Sequence, residues 1–462
     1  MSPSGRLPDG FAVRLDPAVR RRDGGAVLLG GSPLRQLRLS PRARALLAGD
    51  RLVVRDDVTA ALAARLLDGG LAHPDLAPVP VDGVTVVVPV KDRQAELARL
   101  LAALRADPAT AELPVVVVDD GSAVPVTADG ATVLRLAANR GPAAARNAGL
   151  RAATTPFVAF LDSDCVPRPG WLGRLLAHLA DPRLAAVAPR ITALPGRGWA
   201  APYEAAVSAL DMGPRPAPVR PLSAVAYVPS AALLVRRAAL GDGFDESMRV
   251  AEDVDLVWRL TAAGQRVRYD PAAEVAHEHP GTTAGWLRRR AFYGTGAALL
   301  AARHGSAVSP LVIAPETAAT WALALAGGRW GRLAAAAWLA RTSVRLAARL
   351  AGPDEPPPVG LTAGLVVRGA GAAGAALARS VTRHHWPLAV VAALVSRRGR
   401  RVVVAVAVAD GLLAWRPHRG RVGPVRFTVA RRLEDLAYGA GLWAGAVRAR
   451  DPRALLPARP PR

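Results

Sequence analysis

A single cysteine, Cys165, stands in 462 residues, so no intramolecular disulfide can staple this chain. Lysine is as scarce: of 60 basic residues only Lys91 is not arginine. That bias, beside abundant Ala, Gly and Pro, marks a GC-rich genome, so part of the arginine excess reflects codon usage. Aromatics are only 5% of the chain, and the basic residues are interleaved with alanine and valine instead. With no nucleic-acid module recognisable either, nucleic acid is not an expected partner. No apolar run reaches the roughly 20 residues that span a bilayer. Trp386–Val395 and Val402–Leu413 are too short, SRRGRR from Ser396 to Arg401 separates them, and Arg368 and Glu316 break the other candidates. A charged-then-apolar signal segment is also missing from the amino terminus, so a cytoplasmic active site is expected.

What is present is length, charge and one ordered set of motifs. At this length two or three domains are expected, at about 100 to 200 residues each. The formal charge is +23, and residues 281 to 462 hold 27 arginines against seven acids.

Phe157 to Asp164, FVAFLDSD, sets two carboxylates two residues apart where an apolar strand runs out. A continuous apolar run is the mark of a strand buried on both faces, and the carboxyl ends of such strands are where open α/β sheets bind ligands. Asp162 and Asp164 can there share one divalent cation, since hard oxygens suit Mg²⁺ or Mn²⁺. Paired acids near turns are also commonly just solvated, so the triplet needs support from upstream. Val84–Val90 is a β-branched run leading to Lys91 and Asp92, followed by leucines at helical spacing over 93–104. Val115 to Ser122, VVVVDDGS, is a second strand closed by two acids and a glycine. Asn139 to Gly149, NRGPAAARNAG, opens a helix with Pro142 in its first turn, where proline is tolerated. All four strand ends are expected along one rim.

Met248 to Leu260, MRVAEDVDLVWRL, predicts a helix with Val254, Val257, Trp258 and Leu260 inward and Glu252 and Asp253 at its start. Acids there can be caps that interact with the helix dipole, or they can be catalytic. VAHEH, Val275 to His279, is a strand end with two histidines on one face.

Over residues 81–300 this ordered set resembles the family-2 glycosyltransferases of the GT-A fold: a mixed α/β sheet flanked by helices, with a nucleotide-sugar half followed by an acceptor half. The resemblance implies that Pro89 and Asp92 close the first strand near the nucleoside. Asp120, with Asp119 beside it, matches the acid that reads the uracil edge. Arg146 and Asn147 match a polar pair facing the donor, and Asp162 and Asp164 match the metal motif, with His277 completing it. Asp253 matches the general base, Glu252 positions acceptor or base, and Phe244 and Asp245 match the GFDE loop. Lys91 departs from the pattern, standing where many relatives stack an aromatic on the base. The implied reaction is a single inverting displacement at the anomeric carbon, because one base and a metal are supplied but no placed nucleophile. A glycosidase would need two flanking carboxylates instead.

Residues 1–80 predict a strand at Ala26–Leu29, a helix over Leu39–Leu47 capped near Ser40, and another at Asp57–Leu67, followed by DGGLAHP. That order resembles the small winged-helix peptide-recognition domains of peptide-processing enzymes, and fits an ordinary α/β decoration equally. Residues 301–462 predict either a helical subdomain or interfacial helices on an anionic leaflet, with Ala351–Pro358, AGPDEPPP, as a hinge. The whole order of parts resembles the branch of the family that belongs to the mycofactocin system. This implies glucose transfer from UDP-glucose to a peptide-derived redox cofactor in an actinobacterial cytoplasm, possible contact with anionic membrane included. Two rivals stay open: an envelope glycosyltransferase, such as a rhamnosyltransferase using dTDP-rhamnose and a lipid-linked acceptor, and a non-catalytic binding protein on the same scaffold.

Overall fold

The computed structural model describes residues 5–351 and 356–460. It divides into two compact units, Met1–Gly281 and Thr282–Arg462. Four residues of the expected hinge, 352–355, lie outside the described residues.

The first unit is organised by a nine-stranded mixed sheet. Its valine-rich strands are buried on both faces, which is why they read as unbroken apolar runs: Val84, Val86, Val87 and Val88 are all fully inaccessible. Phe157–Leu161 pairs parallel with Val84–Val90, which pairs parallel with Val115–Asp119, and that in turn with Thr132–Arg135. Parallel pairing puts the carboxyl ends of these four strands, with the residues just after them, on one edge. On the other side Phe157–Leu161 runs antiparallel to Ala232–Arg236, and Leu184–Ala193 then joins it to Arg266–His277. Cys165–Pro167 closes the far edge, with Cys165 opposite His277. Asp162 and Asp164 therefore sit beside the end of a strand 115 residues later in sequence.

Helices cover both faces. Gln94–Ala106 buries Leu97, Leu100, Leu101 and Leu104, each worth roughly 1.5–3 kcal/mol. Pro142–Ala152 starts after Gly141 and presses its Gly149 so close to Val87 that a Cβ there would overlap the valine methyls.

Residues 5–80 form two three-stranded sheets around Ala12–Leu15 and Val27–Gly30, with two helices. Ser40 caps Pro41–Leu46 by accepting from the Ala43 N–H, and Asp56 with Thr59 forms a capping box on Asp57–Gly69. The expected strand and both helices are present. The other strands are three or four residues long and include Arg20–Arg22, a sequence with no apolar alternation to announce it. Leu28, Leu47, Leu66, Leu67 and Leu71 make a separate small core. At the end of the second helix Asp68 accepts from Arg266 Nε at 2.9 Å, which ties this module to the large sheet.

The second unit is helical. Thr283–His304 packs against Pro424–Ala449, and Gly294, Gly441 and Gly445 allow the two backbones to touch. Asp410 accepts from Arg431 Nε at 2.7 Å, while Asp435 pairs with Arg383 and Arg432. One sequence expectation is corrected here. Val359–His384 is a continuous helix of 26 residues whose most apolar 18-residue window has mean hydropathy 1.4, long and apolar enough by length and composition to cross a membrane. Arg368 does not break it, since a single long basic side chain can lay its stem along apolar surface.

Replacing Gly149 with valine should force the helix off the sheet. Overpacking of this kind costs about 1–3 kcal/mol, and urea unfolding of Gly149→Val should show that loss, whereas an unchanged midpoint would mean the helix can shift freely.

Candidate active site

The rim formed by the parallel strand ends carries three linked clusters. In the first, Asp92, at φ 54°, accepts from the Ala123 N–H at 2.7 Å, and its own N–H donates to Ser122 Oγ at 2.9 Å. Asp119 is fully buried, accepting from the Ser122 N–H at 2.8 Å and from Arg135 at 3.3 Å. Asp120 accepts from the N–H groups of Arg140 and Gly141 at 2.7 and 2.8 Å, which pins the loop ahead of the Pro142 helix. Gly121 holds φ +68°, and a Cβ there would meet the Ala138 and Asn139 backbone at 2.7 Å. The two acids thus brace the loops at this strand end, with Pro89 in the neighbouring strand paired to Val118.

The second cluster centres on Arg146, only 3% exposed. Its guanidinium donates to Asp162 Oδ1 at 2.6 Å and to Glu252 Oε1 at 2.8 Å, and lies 5.5 Å from the centroid of the Phe244 ring. Burial works against its charge, but Asp162 and Glu252 outweigh it and hold the group above its ordinary range. Asn147 does not face the rim with it. Its amide makes two hydrogen bonds to the Phe244 backbone, at 2.8 and 2.9 Å, and so latches the GFDE loop to the helix.

In the third cluster Asp164, 5% exposed, accepts from Arg93 and lies with Oδ1 3.3 Å from His277 Nε2. Among the described residues no three His, Cys, Asp or Glu side chains close into a metal cage. The Asp164 and His277 pair, with Asp162 beside it, nonetheless fits an open site: Mg²⁺-type sites commonly use one or two carboxylates and take substrate phosphates for the rest, and imidazole suits Mn²⁺ less badly than it suits Mg²⁺. His277 is buried and its Nδ1 has no partner.

Glu252 and Asp253 open the helix Glu252–Ala262 directly after Ala251, held at φ 64°. With Glu252 committed to Arg146, Asp253 accepts, among the described residues, only from backbone N–H groups, Ser230 at 3.2 Å and Val254 at 2.8 Å. Burial, then the charge of Glu252, push its carboxyl up to about 7, against the opposing pull of Arg146. A carboxylate tuned near the working pH is suited to general-base action.

Three participants were not anticipated from sequence: Arg93 on Asp164, the Ser230 N–H on Asp253, and Glu204, buried 3.2 Å from His279. Only Arg93 had a local signal, as a cation one residue beyond Asp92.

A GT-A-like mixed sheet with helices on both faces and acids along its parallel strand ends is the scaffold of a glycosyltransferase. The chain belongs to the family-2 glycosyltransferases: residues 85–240 match the model for glycosyl transferase family 2. More particularly, it is 50% identical over 470 residues, covering 98% of each chain, to the pre-mycofactocin glycosyltransferase of Mycobacterium tuberculosis. It is 32% identical over 218 residues to succinoglycan biosynthesis protein ExoO of Rhizobium meliloti, covering 42% of this chain and 60% of that protein. Among solved structures it is similar to a mannosyltransferase from Pyrobaculum calidifontis in complex with GDP-Man and Mn²⁺, at 21% identity and TM-score 0.38, covering 78% of this chain and 90% of that one.

The Asp253 carboxyl gives a stability signature of its own. Its ordinary value is 3.8 and its folded value about 7, so the folded state holds the proton more tightly. Stability is then full below about 4 and is lost as pH rises through 7. Asp253→Asn should melt higher than the parent at pH 8, with the gap closing near pH 4. A gap that stays constant with pH would assign Asp253 an unshifted carboxyl.

Proposed function

We propose that this enzyme transfers glucose from UDP-glucose, with inversion, onto pre-mycofactocin, a peptide-derived redox-cofactor precursor. The acceptor is supported by half-identity, along nearly the whole chain, to a protein of that name. The donor is the one that the resemblance to this branch of the family implies. The observation that carries the chemistry is Asp253, an acid held near neutrality, with its neighbour Glu252 already bound to Arg146.

In this reading the acceptor hydroxyl attacks the anomeric carbon as the bond to the diphosphate breaks, and its proton passes to Asp253. That proton transfer contributes about 10²- to 10⁴-fold. Glu252 and Asp162 hold Arg146 between them and so keep the base and the donor end in fixed register. Asp164, His277 and Asp162 would hold a divalent cation, whose contribution when bound is to neutralise charge on the departing diphosphate. Asp92, Asp119 and Asp120 shape the loop that receives the nucleoside, and the module at 1–80 recruits the acceptor.

Purified enzyme incubated with a panel of nucleotide sugars and pre-mycofactocin, followed by mass spectrometry, tests the whole reading. UDP-glucose should give the product. Transfer only from dTDP-rhamnose to a lipid-linked acceptor would establish the envelope alternative. Asp253→Asn should lower turnover by about 10² or more while UDP affinity by calorimetry stays near the parent value. Glu252→Gln, which keeps an acceptor oxygen for Arg146, should be milder, and the opposite ranking would move the base to Glu252. EDTA should abolish transfer and Mn²⁺ restore it.

A peripheral membrane site is part of the proposal. Leu394, Val395 and Leu413 are 68% or more exposed, and the helix Arg397–Trp415 begins with Arg397, Arg398, Arg400 and Arg401. Cations are unfavourable at a helix start, and an anionic leaflet would offset them at about 1 kcal/mol per basic residue. Co-sedimentation with anionic vesicles should be strong at low salt and fade as salt screens it. Equal binding to neutral vesicles would overturn the electrostatic part.

A further inference from the structure

Away from the rim, the seam between the N-terminal module and the large sheet encloses a cavity of about 290 Å³ lined by five arginines: Arg35, Arg183, Arg220, Arg266 and Arg268, with Asp68 among them. Thr261 and Gly264, at the far end of the helix that starts with Glu252 and Asp253, also line it. Ten residues of helix rise about 15 Å, and Arg266 opens the strand whose other end carries His277. The cavity is therefore separate from the strand-end site.

Its charges do not balance. Arg266 is satisfied by Asp68 at 2.9 Å and Asp181 at 2.7 Å, and Arg183 shares Asp68 at 3.1 Å. Arg268 is 3% exposed, gives Nη2 to His73 Nδ1 at 2.9 Å, and leaves its Nε without any partner. His73 cannot neutralise it. Arg220 is half-buried, and its side chain forms no hydrogen bond or ion pair among the described residues. Burial, and then Arg35, Arg266 and Arg183, outweigh the pull of Asp68 and lower the Arg220 guanidinium below its ordinary range. Burial likewise, with Arg266 and Arg220 adding to it against Asp181 and Asp270, brings Arg268 down to about 10. Taking uncompensated charge out of water is costly. Five guanidinium groups gathered on one cavity with a buried N–H left over is the arrangement that planar forks make around phosphoryl oxygens.

We infer that this cavity is a second anion site, built for a phosphate or diphosphate group, in which Arg35 from the N-terminal module and Arg220 and Arg268 from the large sheet close on the ligand together. Occupancy bridges the module to the sheet and removes the mutual repulsion of the three cations. The group can arrive as free phosphate or diphosphate, or as the diphosphate of a nucleotide.

The test uses the full-length enzyme saturated with UDP, so that the strand-end site is filled. Melting temperature is then followed against inorganic phosphate and diphosphate at constant ionic strength, with chloride as reference. A ligand bound only by the folded state raises stability with its concentration, so both anions should raise the melting point beyond chloride. Arg220→Gln should weaken that response at least tenfold and Arg220→Lys only partly. Arg35→Gln, on an exposed side chain, gives the same reading without risk to the core. Calorimetry with UDP alone separates the sources: two equivalents per chain, falling to one in Arg220→Gln, would make a nucleotide the ligand, and one equivalent in both would leave the free anion. Anion responses identical in parent, Arg220→Gln and Arg35→Gln, or absent from the UDP-saturated parent when calorimetry counts only one UDP per chain, would overturn the site.

Discussion

The candidate site depends on one buried cation. Arg146 comes from the helix after the third parallel strand, yet its two hydrogen bonds go to Asp162 at the end of the fourth strand and to Glu252 at the start of a helix more than a hundred residues from it in sequence. Removing one partner of such a group leaves an uncompensated charge, at about 3–5 kcal/mol. Phe244 beneath the guanidinium and Asn147 on the Phe244 backbone give the same helix a second hold on the same loop. The end of the fourth strand, the loop at Phe244 and the helix that starts at Glu252 are thus held in register by adjacent side chains of one helix.

Much of the fold was legible because its signals are local. Valine runs buried on both faces, leucines at helical spacing, a proline in a first turn and Ser40 or Asp56 as caps all express short-range physics. The mixed-sheet architecture was carried by the family resemblance. The N-terminal strands were not legible, since pieces such as Arg20–Arg22 hold together through register with Val27–Gly30 and carry no pattern of their own. The Val359–His384 helix was missed for the opposite reason: counting Arg368 as a break treats a helix as a run of letters, although one charge within a long apolar stretch can be accommodated, the other arginines, Arg379 and Arg383, falling near the helix end.

At the site, sequence could say which residues are chemically interesting but not what each one touches. Asp119 and Asp120 are neighbours in a motif, and the structure gives them separate tasks, one bracing its own turn and the other holding the loop at Arg140 and Gly141. Arg146 and Asn147 differ in the same way. Glu252 and Asp253 are the hardest case, because successive helix positions point about 100° apart and either acid could have been the free one. What separates them is the position of Arg146 and of the Ser230 N–H, both long-range facts.

The loop that presents Asp253 concentrates unfavourable terms. Ala251 adopts a left-handed conformation that costs an alanine roughly 1–2 kcal/mol, and two acids sit side by side with one of them out of water. The helix that follows offsets this. Leu256, Val257, Trp258 and Leu260 are all at most 5% exposed, each worth roughly 1.5–3 kcal/mol when buried, and the Trp258 indole donates to the Ala226 carbonyl at 2.8 Å. Acids in the first turn also complement the helix dipole. A strained carboxyl can therefore persist at this position because the apolar face behind it offsets the cost, so the same short helix both packs into the core and carries the raised Asp253 carboxyl.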